Sequence, residues 1–174
     1  MKRTQNRPMA QGRVSPKVAC LLGTGLTLGS LAAFSTFAPF TWVVSPSIWL
    51  SYLCIYIPMK RKSELNTLAG AVVGALPPFI GTFAQTGVML DPATLCLGAY
   101  IFSWQFPHFY GILYEHRKDY EAAGFVMTSN QDPTGALKAH RQILACTTFN
   151  TVVPIVMSAW GFLHPLVLAP FLAT

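Results

Sequence analysis

Four stretches of this chain contain no Lys, Arg, Asp or Glu: residues 18–59, 65–90, 92–114 and 142–174. About 20 apolar residues span a bilayer core of roughly 30 Å, so each stretch is long enough to cross a membrane once. The first, at 42 residues, is long enough for two crossings with a turn around Pro39 to Pro46. Counting crossings places the segments 1–17, 60–64 and 115–141 on one face. All 12 Lys and Arg lie in those segments, and Asp91 is the single charged residue assigned to the other face. Basic residues collect on the inner side of membranes, which makes that face the cytoplasm or the mitochondrial matrix. A charge content of 10%, against about 25% in soluble domains, agrees with this reading.

The expected fold is therefore all-α, a polytopic transmembrane helix bundle. Its spans are expected near 18–38, 42–59, 66–88, 92–114 and 142–162. The apolar residues 165–174 cover only about 15 Å as a helix, a partial sixth span. The net charge of +6 is explained by topology, so no nucleic-acid partner is expected. Cys20, Cys54, Cys96 and Cys146 show no C-x-x-C spacing and read as buried free thiols. Residues 1–17 carry five basic residues and no acid, as a transit peptide would, but Pro8, Gly12 and Pro16 favour a loop. Asn66, Gly70 and Gly74 recur every four residues, a small-residue stripe that lets helices approach closely. Pro77-Pro78, Pro107 and Pro154 interrupt three spans. They signal either ordinary kinks or a cavity lined by bent helices.

Several groups on the charged face are able to carry chemistry. Gln105 and His108 are three residues apart, and a continued helix would place Asp119 on the same side. His108 is then either a site residue at membrane depth or a packing histidine hydrogen-bonded to a neighbour. Asp119, among Glu115, His116, Arg117, Lys118, Tyr120 and Glu121, belongs to a solvated charged loop or to a Mg²⁺–diphosphate site. Tyr56 and Lys60 are an interfacial anchor pair or part of an anion site. Arg3 and Arg7, four apart, face one anion or simply form part of a positive-inside loop.

Taken together the segments resemble the UbiA-type membrane prenyltransferases, and within them the haem O synthases (protohaem IX farnesyltransferases). The likeness runs through Arg3-Thr4-x-Asn6-Arg7-Pro8, Gly12-x-x-Ser15-Pro16, Tyr56-x-x-x-Lys60-Arg61, Asn66-Thr67 and Gly70-Ala71-Val72-Val73-Gly74-Ala75-x-Pro77-Pro78. It continues through Trp104-Gln105-Phe106-Pro107-His108-Phe109, Arg117-x-Asp119-Tyr120 and Ala123-Gly124-x-x-Met127. The resemblance implies farnesyl transfer from farnesyl diphosphate to a vinyl carbon of haem b, giving haem O, with Mg²⁺ as cofactor. It implies a catalytic set of Asp119, Lys60, Arg3 and Arg7, with Asp119 on the metal. Tyr56, Asn66, Gln105, His108, Arg117 and Tyr120 would bind substrates. It also implies a lipid-bilayer setting in the inner mitochondrial membrane or a bacterial plasma membrane, and association with haem A or cytochrome oxidase assembly proteins. The family's first aspartate-rich motif, expected just before Arg3, is not in this sequence. The chain therefore reads as one UbiA-type domain over 1–174, an internal piece of a nine-helix bundle that is expected to be inactive alone. The competing expectations are a non-catalytic membrane subunit, or a small transporter built around His108.

Overall fold

The computed structural model describes residues 4–36, 41–88, 90–128 and 137–161, and the elements among them are helical. Helix α1 runs Pro16–Ser35 and α2 runs Thr41–Met59. The third expected span is two helices, α3 (Asn66–Gly74) and α4 (Pro77–Thr86). Helix α5 is Pro92–Glu115, α6 is Arg117–Ala122 and α7 is Leu137–Ala159. Arg3, Pro39, His164 and the partial span at 165–174 lie outside the described residues.

Local sequence explains most of these ends. The Ser15 hydroxyl accepts the Val18 N–H at 3.3 Å, and Pro16 occupies the first turn of α1, where no N–H is needed. Asp91 does the same for α5, accepting the Thr94 N–H at 3.0 Å and its hydroxyl at 3.2 Å. The Thr94 hydroxyl in turn lies 2.7 Å from that of Thr82, tying α4 to α5. Asp91→Ala is therefore expected to cost about 1 kcal/mol, measured as a shift in an SDS unfolding titration. An unchanged midpoint would refute that role.

The prolines act in three ways. Pro77 and Pro78 end the α3 ladder and open α4, so the third span bends at Ala75–Leu76. Pro107 and Pro154 stay inside α5 and α7. Pro46, expected in a turn, is inside α2, because that helix already starts at Thr41. Close to the charged end of α2, residues Tyr52–Tyr56 form a π turn, with the Ile57 N–H reaching back to the Tyr52 carbonyl. Pro58 lacks the N–H that an α ladder would use there.

Four helical stretches among the described residues are long and apolar enough to cross a membrane: α1, α2, α3–α4 and α7. Five full spans were expected. At 24 residues, about 36 Å, α5 has the length but is diluted by Gln105, Pro107, His108 and its tyrosines. It is also the central helix, packed against α7, α3 and α4, so less of its surface must suit lipid. Helix α1 is the opposite case. It packs on α2, buries no residue, and leaves Leu21 77% exposed. Its Thr27 and Ser30 hydroxyls bond back to the Gly23 and Thr27 carbonyls, the internal satisfaction that lipid requires. The four cysteines are free, but Cys20 and Cys54 are exposed on helix surfaces and only Cys96 and Cys146 are partly covered. The expectation of buried thiols fails for the first two because α1 buries no residue and Cys54 lies on the exposed side of α2.

Candidate active site

The charged end of α2 and the segment after α6 are bound together through Asn66. Helix α6 closes with Gly124 at φ +71°, a left-handed conformation that glycine adopts without strain. The Gly124 N–H bonds the Glu121 carbonyl at 2.9 Å, and the Phe125 N–H bonds the Tyr120 carbonyl at 3.0 Å. The Tyr120 and Phe125 rings meet edge-on at 5.9 Å, the apolar contact that accompanies such a helix end. This turn sends the chain back over the start of α3. There the Val126 N–H donates to the Lys60 carbonyl at 2.9 Å, and the Asn66 amide nitrogen donates to the carbonyls of Ser63 and Val126 at 2.7 and 2.9 Å. Asn66 is 2% exposed.

Beneath this closure is a pocket of about 350 Å³. Tyr52, Tyr56 and Lys60 line it from α2, and Asn66, Thr67, Gly70, Val73 and Gly74 from α3. Gln105, Phe109 and Leu113 line it from α5, with Tyr120 from α6 and Met127 from the returning segment. The Lys60 ammonium stands 4.3 Å from the centroid of the buried Tyr56 ring. Burial pushes the Lys60 ammonium below the ordinary lysine range. The Gln105 amide nitrogen donates to the Ala71 and Ile101 carbonyls at 3.0 and 3.1 Å, crossing from α5 to α3. The glycine stripe is what admits these side chains. A Cβ on Gly70 would lie 2.7 Å from Tyr56 Cε2, and one on Gly74 would overlap Gln105 Oε1.

Of the ten residues the sequence singled out, the pocket brings together Tyr56, Lys60, Asn66, Gln105 and Tyr120. Arg3 lies outside the described residues, and the other four are elsewhere. His108 is exposed, and its ring stacks on Trp104 with centroids 4.9 Å apart and planes 12° apart. Three residues along a helix is a turn of about 300°, so His108 sits about 60° away from Gln105, toward the outer side. The expected wall of Gln105, His108 and Asp119 does not form, because α5 stops at Glu115. His116, at φ −106° and ψ 19°, breaks the helix before Arg117 starts α6. Asp119 is half-buried beside a separate hollow of about 370 Å³ with Glu115, His116, Arg117 and Lys118. The Arg117 guanidinium lies over the Tyr114 ring at 4.8 Å. Arg7 is exposed within a run of turns. Tyr52 and Leu113 are pocket residues that the sequence reading did not name, and Thr67 was named only within the resembling segment. The i, i+4, i+8 series Gln105, Phe109, Leu113 was the available signal for Leu113. Among the described residues no group of three or more His, Cys, Asp or Glu is placed to hold a metal.

The profile of the UbiA prenyltransferase family matches residues 1–174. The chain belongs to the UbiA prenyltransferase family. A human protein named protoheme IX farnesyltransferase, mitochondrial, is 36% identical to this UbiA-family chain over 165 residues, 93% of the chain and 37% of the human protein. The protein of the same name from Yarrowia lipolytica is 39% identical over 134 residues, 76% of the chain and 28% of that protein. A protoheme IX farnesyltransferase of Rhodopirellula baltica is 37% identical over 153 residues, 87% of the chain and 53% of that protein. The UbiA-family chain thus spans roughly a quarter to a half of the length of these relatives. No solved structure matches it. Four apolar helices of spanning length, with mitochondrial and bacterial relatives, make this UbiA-family chain an integral membrane protein.

Proposed function

We propose that this chain builds part of the chamber in which a farnesyl group passes from farnesyl diphosphate to a vinyl carbon of haem b, giving haem O. The observation that carries this reading is the pocket's polarity. Lys60 and the polar start of α3 mark one part of it, while Val73, Phe109, Leu113 and Met127 supply apolar wall. That is a complement to an anionic head on an apolar tail.

In the proposed reaction the allylic C1–O bond breaks and its electron pair leaves with diphosphate. The vinyl group's electrons form the new C–C bond to farnesyl C1, and water adds to the resulting cation with loss of a proton. The sum is farnesyl diphosphate, haem b and water giving haem O and diphosphate. Lys60 holds negative charge where it develops, the kind of preorganised electrostatics that lowers such barriers. The apolar wall keeps water from the allylic cation until the C–C bond has formed. UbiA prenyltransferases typically use a divalent metal with the diphosphate substrate. Mg²⁺ takes one or two carboxylates with substrate phosphate oxygens; the resemblance makes Asp119 the carboxylate that would hold it, although Asp119 stands beside a separate hollow and not in the Lys60 pocket. The metal would supply charge neutralisation of the leaving group. Mitochondrial names among the relatives and the clustered basic loops support an inner mitochondrial membrane setting with those loops in the matrix.

The test is binding of farnesyl S-thiolodiphosphate, which ionises slowly, to the 174-residue chain in nanodiscs by isothermal titration. Saturable binding that inorganic diphosphate competes away supports the reading. Binding that partitions linearly with lipid, with no competition, ends it.

A further inference from the structure

The resemblance casts Asn66 as a substrate contact, but its hydrogen bonds point to another job. We propose that Asn66 is a positioning residue that holds the Tyr120–Met127 segment over the pocket at a fixed distance from Lys60. The proposal deepens the prenyl-diphosphate reading of this pocket and rests on it for the binding consequence.

The geometry is specific. Both neighbours of the Asn66 amide are carbonyls, Ser63 O at 2.7 Å and Val126 O at 2.9 Å, so the nitrogen must face them and both of its N–H donors are committed. The Val126 N–H closes the circuit onto the Lys60 carbonyl at 2.9 Å. One side chain therefore ties the turn after α2, the start of α3 and the returning segment together. The partners are 60 residues apart in sequence. Lys60 stands on one side of this junction, and Tyr120 and Met127 reach the pocket from the other. Asp119 is adjacent to Tyr120, so the same junction fixes where a carboxylate stands relative to the ammonium.

Asn66→Asp tests the assignment. The variant keeps the shape, removes both donors and turns an acceptor toward two carbonyls. Spin labels on Lys62→Cys and Glu121→Cys, in a background with the four native cysteines replaced by Ala, report the distance across the junction by pulsed EPR in nanodiscs. Both label positions are exposed. A narrow distance distribution is expected for the labelled parent and a broad or bimodal one for Asn66→Asp. Affinity for farnesyl S-thiolodiphosphate should fall about tenfold in parallel, as for a lost pair of buried hydrogen bonds. Lys60→Gln should lose affinity while keeping the narrow distribution. A narrow distribution in Asn66→Asp overturns the proposal, whether affinity falls (a direct contact) or holds (no role). If Asn66→Asp fails to insert, Asn66→Ser, which keeps one donor, should give intermediate broadening, and parental width there overturns the proposal equally. If the parent itself binds no farnesyl S-thiolodiphosphate, the functional reading fails while the EPR comparison still decides the positioning role.

Discussion

Lys60→Gln is expected to weaken binding of farnesyl S-thiolodiphosphate by roughly ten- to a hundredfold, the worth of a hydrogen bond to a charged group at about 1.5–3 kcal/mol. Its glutamine keeps length and polarity, so the loss isolates charge. The parent's pH profile makes the result sharper. Burial lowers the Lys60 pKa, so its ammonium releases its proton at a lower pH than a solvated lysine does. Diphosphate affinity should accordingly fall as pH rises toward the ordinary lysine range, and diphosphate binding should take up a proton when measured in that window. Folding stability carries the opposite sign. Between the lowered folded value and the ordinary unfolded one, the unfolded state holds more protons at Lys60, so the contribution of Lys60 to the stability of the unliganded chain rises with pH. In Lys60→Gln the part of both dependences that Lys60 carries should disappear. Titrations at several pH values in two buffers of different ionisation heat check this. A parent affinity that is flat with pH removes Lys60 from the anion site.

Gly74→Ala is expected to destabilise the chain by about 1–3 kcal/mol and to disorder Gln105, although alanine is the better helix former. The added methyl has no room, since it would overlap Gln105 Oε1. Gln105 cannot yield cheaply, because its amide nitrogen is held by the Ala71 and Ile101 carbonyls, and moving it leaves buried donors without partners. Gly74→Ala with Gln105→Ala should recover much of the loss, a coupling that a double-mutant cycle in SDS unfolding reads directly. An additive cycle would show that the two residues do not meet.

Charge-free runs placed the helices to within a few residues, because the lipid requirement for apolar side chains is strong and uniform along each span. The same rule placed α5 at 92–114, where the helix Pro92–Glu115 lies, but said nothing of its lower hydropathy. Gln105 and His108 lower its hydropathy, and only packing against α3, α4 and α7 shows how such a helix is housed. Tyr56, Lys60 and Gln105 were legible from residue type and spacing, while Asn66 and Tyr120 entered the site through the resemblance, and spacing alone did not group them. Their grouping depends on the 60-residue contact between Asn66 and Val126. The wall through His108 failed for two reasons. A three-residue step carries a side chain 60° around a helix, and α5 ends at His116 with no Gly or Pro to announce it. The glycine stripe was visible as a route to close packing. Its partners turned out to be side chains, Tyr56 and Gln105, which no stripe can name in advance.

The π turn at Tyr52–Tyr56 has a bearing on heredity. A π turn is an α-helix carrying one surplus residue, so removing that residue restores the α ladder and leaves both flanks facing as before. Loss of a single codon at exposed Cys54 should therefore leave Lys60 pointed into the pocket. The same loss at Leu68 would swing Gly70 and Gly74 about 100° away from Tyr56 and Gln105. Along this gene, in-frame length variation is expected to be tolerated in one helix and purged from the next.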